Sequence, residues 1–208
     1  MLIDNIGDTC EGLYNNILNL KKKIQGGDNN PLILSTEITN IFDKYVILKP
    51  SLVYSVDDNF STMLMSMLKL MPFFPIYYHG KTIFYPIHVT DMCEIIENII
   101  INETKKETIE CIGPEKISFK ELILKILKSL EIYRPLLPMP LTIAKFVATF
   151  FEIFMKNPLL TKDQLILLNY NNEPSGKYKT NIDLKLNSKL NYFENEILKY
   201  SYMWKNEG

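Results

Sequence analysis

An α/β domain is the fold class this sequence predicts, and three observations predict it. Between residues 45 and 170, apolar β-branched runs alternate with segments of helical hydrophobic spacing. Three of the helical segments open on a capping-box pattern, at Asp91/Glu94, Ser118/Glu121 and Thr161/Gln164. Hydrophobic residues make up 47% of the 208, which is core-forming composition and not that of a disordered tail.

The elements follow in order. Residues 1–34 read apart from the rest, with Leu13, Ile17, Leu20 and Ile24 on one face of a short helix. That helix ends at Gly26-Gly27, and a Gly/Asp/Asn/Pro run follows as a linker. The apolar run 45–54 reads as a buried strand with parallel neighbours. Asp57 and Asp58 turn the chain into a helix over 60–70. A second strand, 82–89, leads to a helix over 91–101 with Ile95, Ile96, Ile99 and Ile100 on one face. Strand 108–112 ends at Gly113-Pro114, and a helix over 118–130 repeats its apolar positions at helical spacing. A short strand at 136–137 precedes an apolar helix over 142–155, stopped by Pro158, and a helix over 161–170. The polar remainder includes a further helix within 183–199 and an aromatic tail at 200–204.

Composition excludes several functions. A net charge of −1 gives no electrostatic case for nucleic acid, and none is expected as a partner. Cys10, Cys93 and Cys111 lie far apart without a Cys-x-x-Cys pair, so they read as reduced cysteines and no metal site is predicted. The first residues carry no basic region followed by a long apolar stretch, and no signal peptide is expected. Lys69, Pro72 and Pro75 interrupt one apolar stretch, and Pro138, Pro140, Lys145 and Glu152 interrupt another. Neither supplies the roughly 20 uninterrupted apolar residues of a membrane span.

Residues 48–60 (LKPSLVYSVDDNF) resemble the Arg-Pro-x-x-Val-Tyr-Gly-Pro segment of the extended short-chain dehydrogenases, the NAD-dependent epimerase/dehydratase superfamily. PIHVTD at 86–91 resembles a second landmark of that family, and CIGPE at 111–115 followed by FKEL at 119–122 resembles a third. With PLLTKDQL at 158–165, the set is similar to the branch that includes the dehydrogenase-like accessory subunit of the respiratory complex I alpha subcomplex and its bacterial relatives. The resemblance implies the C-terminal part of a Rossmann-like parallel sheet plus a small mixed α/β substrate-side subdomain, all within 35–208. It also implies an NAD(P) cofactor whose nicotinamide lies beside Pro50, Ser51, Leu52 and Val53. The alternative for these four residues is a purely structural central strand.

The departures are specific. Ser55 stands for the family's glycine and Val56 for its second proline. No Gly-x-Gly-x-x-Gly follows a strand, so binding of NAD(P) by this chain alone is not expected. A catalytic Tyr-x-x-x-Lys pair works because residues four apart on a helix share a face, which lets the lysine lower the phenol's pKa. Tyr45 and Lys49 have this spacing, but on a strand four residues span about 13 Å and the groups cannot meet. No catalytic residue is therefore assigned. Asp58, Tyr85 and His88 are expected to line a substrate-side pocket for a small molecule. Asp91 reads as a helix cap or a catalytic acid, and His88 as a hydrogen-bonded structural histidine or a base.

Two functions follow, beside a plain binding module whose pocket between Asp57-Asp58 and Tyr85-His88 holds a partner or small molecule. One is a truncated, non-catalytic accessory protein related to quinone-associated complex I proteins, on the cytoplasmic or mitochondrial-matrix side. It would be peripheral on the respiratory membrane, meeting a complex or the membrane surface through the 142–155 helix. The other is an epimerase, dehydratase or oxidoreductase whose nucleotide-binding half is supplied by an upstream segment.

Overall fold

The computed structural model describes residues 45–204 apart from 57, 141, 145–148 and 150–161. The helix expected within 1–34, most of that expected at 142–155, and Thr161 lie outside the described residues. In chain order the elements are β1 (Val46–Pro50), β2 (Val53–Tyr54), α1 (Asn59–Leu70), β3 (Phe74–Ile76), β4 (Ile83–Phe84), β5 (Ile87–His88), α2 (Val89–Ile101), β6 (Glu107–Cys111), β7 (Ile117–Ser118), α3 (Phe119–Leu130), β8 (Leu136–Pro138), α4 (Lys162–Leu167), β9 (Lys179–Thr180) and α5 (Phe193–Tyr200). Short 3-10 turns occupy Tyr78–Gly80 and Ser201–Trp204.

β1, β6 and β9 form a parallel sheet in the order β1-β6-β9, with Val46 opposite Glu107 and Pro50 opposite Cys111. This is a Rossmann-like parallel core, and α2 covers it by burying Ile95 against Ile87, Ile109 and Cys111. The small mixed subdomain holds the parallel pair β3–β8 and the antiparallel pair β4–β7. Its core joins α1 to α3 and α5 through Met65, Leu68, Leu122, Ile126, Phe193 and Ile197.

Both long strands expected from the sequence are broken, for local reasons. The run 45–54 bends at Ser51–Leu52. The Ser51 N–H still donates to Cys111 O (2.9 Å), whereas Leu52 O accepts from Ile87 N (2.9 Å) and hands the chain to β5. The run 82–89 is divided at Pro86, which has no N–H for a ladder. β4 then pairs with β7, and β5 pairs with β2.

The capping expectations divide similarly. Ser118 and Glu121 form the full capping box of α3. α2 instead begins two residues before Asp91, with His88 as its N-cap. Asp91 is buried in the first turn, a correction to its reading as the cap. The reason is a more distant partner: its carboxylate accepts from the backbone N–H (3.0 Å) and the side-chain amide of Asn191. Strands β3 and β9 and the bound state of the aromatic tail are additions to the sequence reading. In that tail Tyr200 is buried in the core and Trp204 donates to Ser66 Oγ (3.2 Å).

Candidate functional site

The sequence landmarks converge, and their polar groups mostly hold the chain together. Tyr54, from the first landmark, packs edge-on against His88 from the second (5.1 Å between centroids) and against Phe193 (4.9 Å). Burial and the nearby Asp91 carboxylate push its phenol far above the ordinary tyrosine value. Its hydroxyl donates to Asn191 O (3.3 Å). Glu94 accepts from Ser188 N (2.9 Å), and these bonds hold its carboxyl below its ordinary value. Glu115, from the third landmark, accepts from Phe193 N (3.1 Å) at the start of α5, whose own N-cap residue makes no side-chain bond. The acids of two landmarks thus clasp the 187–193 segment onto the core.

The carboxyl ends of β1 and β6 carry a small crevice lined by Pro50, Ser51, Glu110, Ile112 and Asn172, with Lys49 at one side. Ser51 Oγ donates to Asn172 O (3.0 Å) and accepts from Tyr85 N (3.2 Å). Lys49 lies over the Tyr178 ring, 4.3 Å from its centroid. Glu110, buried, accepts from Ser175 N (3.0 Å) and Ser175 Oγ (2.6 Å). Asn181 bonds both backbone groups of Ile112, at 2.8 and 3.1 Å, so its side chain completes the strand end.

Asn172 also borders an apolar cavity of about 330 Å³ beneath α1. Its walls are mostly apolar, with Leu52, Phe60, Met63, Met67, Phe74, Phe84 and Phe119 among them. Leu167, Leu168, Tyr170, Asn171 and Asn172 complete the lining.

The expected site residues are distributed among these features. Pro50 and Ser51 line the crevice and Leu52 lines the cavity, while Val53 pairs with Ile87 in the β2–β5 ladder. The Ser51 N–H and the Leu52 carbonyl are engaged in the sheet. Asp58 is the N-cap of α1, accepting from Ser61 N (2.6 Å) and Ser55 N (3.1 Å). His88 shares a hydrogen bond between Nδ1 and Thr90 Oγ1 (2.8 Å). Asp58, Tyr85 and His88 are not among the residues lining the cavity.

One pair escaped the sequence reading. Tyr77 and Lys81 also have Tyr-x-x-x-Lys spacing, and Tyr77 lines the cavity. They flank a 3-10 turn in which Gly80 takes a positive φ of 67°. Tyr77 is buried and Lys81 exposed. Burial pushes the Tyr77 phenol up to about 12, and no lysine acts against it. The motif is therefore present without the shared helix face that makes it an activated phenol.

No protein-family model matches the chain, and no curated protein sequence matches it. Solved structures do. A human epimerase family protein solved with NADPH superposes with a TM-score of 0.57 at 13% identity, over 81% of this chain and 54% of its own. Over about half of that chain's length the fold is extended short-chain-dehydrogenase-like. This epimerase/dehydratase-like fold is shared with a dTDP-4-dehydrorhamnose reductase from Bacillus anthracis in complex with NADP (TM-score 0.52, 17% identity, 82% of this chain, 52% of that one). It is shared too with a UDP-N-acetylglucosamine 4-epimerase from Methanobrevibacter ruminantium in complex with UDP-N-acetylmuramic acid (0.50, 15%, 83% and 49%). The chain spans about half the length of the structures it matches.

Proposed function

We propose that residues 45–204 are the substrate-side part of an NAD(P)-dependent reductase- or epimerase/dehydratase-type protein. The nicotinamide end of the cofactor would lie at Pro50–Val53, with substrate in the adjoining cavity. One observation carries this: the crevice at the carboxyl ends of two parallel strands adjoins the apolar cavity through Asn172. Open α/β sheets bind ligands outside the carboxyl ends of their strands. Two matched structures, with NADPH or NADP bound, support the cofactor part of the assignment.

The residues present fit the nicotinamide end of the cofactor and not its pyrophosphate. Pro50 and Ser51 border the crevice, but the 208 residues contain no Gly-x-Gly-x-x-Gly to hold phosphates. When bound, the nicotinamide would supply or accept hydride. The chain's own residues bind and orient: Ser51 Oγ ties β1 to Asn172, and Glu110 holds the 175 loop beside the crevice. Tyr77, protonated at neutral pH, presents a phenol and not a phenolate.

Titration of the full chain with nicotinamide mononucleotide and with NADPH, followed by backbone amide chemical shifts, tests this. Saturable shifts at Ser51, Leu52 and Ile112 are expected; amides there that stay unmoved at millimolar ligand defeat the assignment. The narrower reading, an accessory protein on the respiratory membrane engaged through the 142–155 helix, rests on the sequence landmarks at 158–165. Flotation with anionic liposomes at low salt tests it, and a chain that stays at the bottom of the gradient opposes it.

A further inference from the structure

We infer that the cavity beneath α1 takes a flexible apolar ligand, an acyl or prenyl chain with one polar end, in place of a diphosphate-bearing sugar. This rests on reading residues 45–204 as a substrate-side part, and it goes beyond that reading in assigning the ligand's chemistry.

The walls come first. Leu52, Phe60, Met63, Met67, Phe74 and Phe84 surround a space of about 330 Å³. At ~30 Å³ for a group the size of water or a methylene, that is room for about ten such groups. Pockets of this size bind by burying ligand surface, with a few polar groups fixing orientation. Among the described residues the polar lining is Asn171, Asn172 and the tyrosines Tyr77 and Tyr170, and Asn172 is shared with the strand-end crevice. A single polar head directed towards Asn172, with its chain among the phenylalanines and methionines, matches this distribution.

Among the described residues a phosphate meets no cation in the cavity lining. The 208 residues include one arginine, Arg134. Its guanidinium donates to the carbonyls of Leu68 (3.1 Å), Tyr133 (2.9 Å) and Lys69 (3.4 Å), closing the C-terminal end of α1. Among the described residues no lysine lines the cavity.

Helix N-termini, the other common anion site, are also taken. α1 and α3 both begin beside the cavity, since Phe60 and Phe119 line it. At α1 the Asp58 carboxylate already accepts from Ser61 N (2.6 Å). At α3 the Phe119 N–H donates to Thr82 O (2.8 Å), and the Glu121 N–H donates to Ser118 Oγ (3.2 Å) within the capping box. An anion in this cavity would face apolar walls and two carboxylate-capped helix starts, and burying an unpaired charge is strongly unfavourable. An uncharged chain meets no such penalty.

Methionine-methyl NMR of the full chain tests this directly, because Met63 and Met67 line the cavity while Met203 is exposed on the surface. The probes are n-dodecanol, farnesol and UDP-glucose. Saturable shifts of the Met63 and Met67 methyls with either alcohol, with Met203 and the UDP-glucose spectra unchanged, are expected; the stronger alcohol distinguishes an acyl from a prenyl ligand. Met63→Trp, which fills the cavity, should weaken that alcohol at least about tenfold. Two results overturn the inference: neither alcohol moves Met63 and Met67 more than Met203, or UDP-glucose moves them and the alcohols do not. Should M63W not fold, the wild-type spectra decide by themselves. The nicotinamide titration reads Ser51 and Ile112 separately, so failure of either assignment is recognisable without the other.

Discussion

Gly113 sits where the third sequence landmark crosses the second, and replacing it with alanine should be costly. A Cβ at Gly113 would lie 1.6 Å from Pro86 O, 2.5 Å from Pro86 C and 3.2 Å from Ile87 N. All three are backbone atoms, so no side chain can turn aside. The obstructed segment is held on both flanks, by Gly113 N donating to Tyr85 O (3.1 Å) and Ile87 N donating to Leu52 O (2.9 Å). Relieving the clash must stretch at least one of these bonds. Overpacking of this kind costs about 1–3 kcal/mol, and a lost hydrogen bond adds roughly 1 kcal/mol. Alanine returns roughly 0.4–1 kcal/mol by restricting the unfolded chain. The net expectation for Gly113→Ala is a loss of about 1–3.5 kcal/mol, or a Tm lower by roughly 2–14 °C for a chain of this size. Urea unfolding should show a lower midpoint at unchanged slope. Gly176→Ala is the control: it has open space around it but a φ of +72°, so its cost is the left-handed penalty alone, about 1 kcal/mol. A G113A chain within about 0.5 kcal/mol of wild type, the ordinary range for a featureless surface site, would refute the packing argument.

Asp91→Ala removes the acceptor of two Asn191 donors, and a loss of about 2–4 kcal/mol is expected, with amide exchange accelerating selectively over 187–193. Uniform acceleration across the chain would contradict the clasp. With iodoacetamide at mildly alkaline pH, exposed Cys93 should be alkylated while buried Cys111, its thiol pushed up to about 11 by burial, stays protected until the chain unfolds. Equal labelling of the two would contradict the packing of β6. In acid, the Ser118 backbone and hydroxyl hold the Glu121 carboxyl below its ordinary value. A carboxyl lowered by folding contributes stability that is present above its unfolded value and lost as pH falls through the folded one. Tm measured from about pH 6 down to about pH 3 should therefore fall less steeply in Glu121→Gln than in wild type. Parallel curves would remove the capping box from the account.

Much of the architecture was legible because its determinants are local. The alternation of apolar runs with helical spacing specifies an α/β chain, and α3 follows from positions 118–130 alone, since its cap and its buried stripe lie within one segment. The landmark residues were legible as a set, but not what they do. Asp91 has the sequence of a cap and the position of a clasp, because its partner, Asn191, is a hundred residues away. Tyr77 and Lys81 carry a catalytic spacing, yet the 3-10 turn between them leaves one buried and the other in solvent. The breaks at Ser51–Leu52 and at Pro86 send β2 and β4 to partners that no periodicity names. The cavity is the clearest case. Its walls come from the bend after β1, α1, two strands, α3, the end of α4 and the segment after it, so no local pattern announces it. Residue identity determined that these side chains would be apolar and that the chain would carry one arginine. Only the tertiary structure decided that the apolar side chains enclose a space and that the arginine closes a helix instead of facing it.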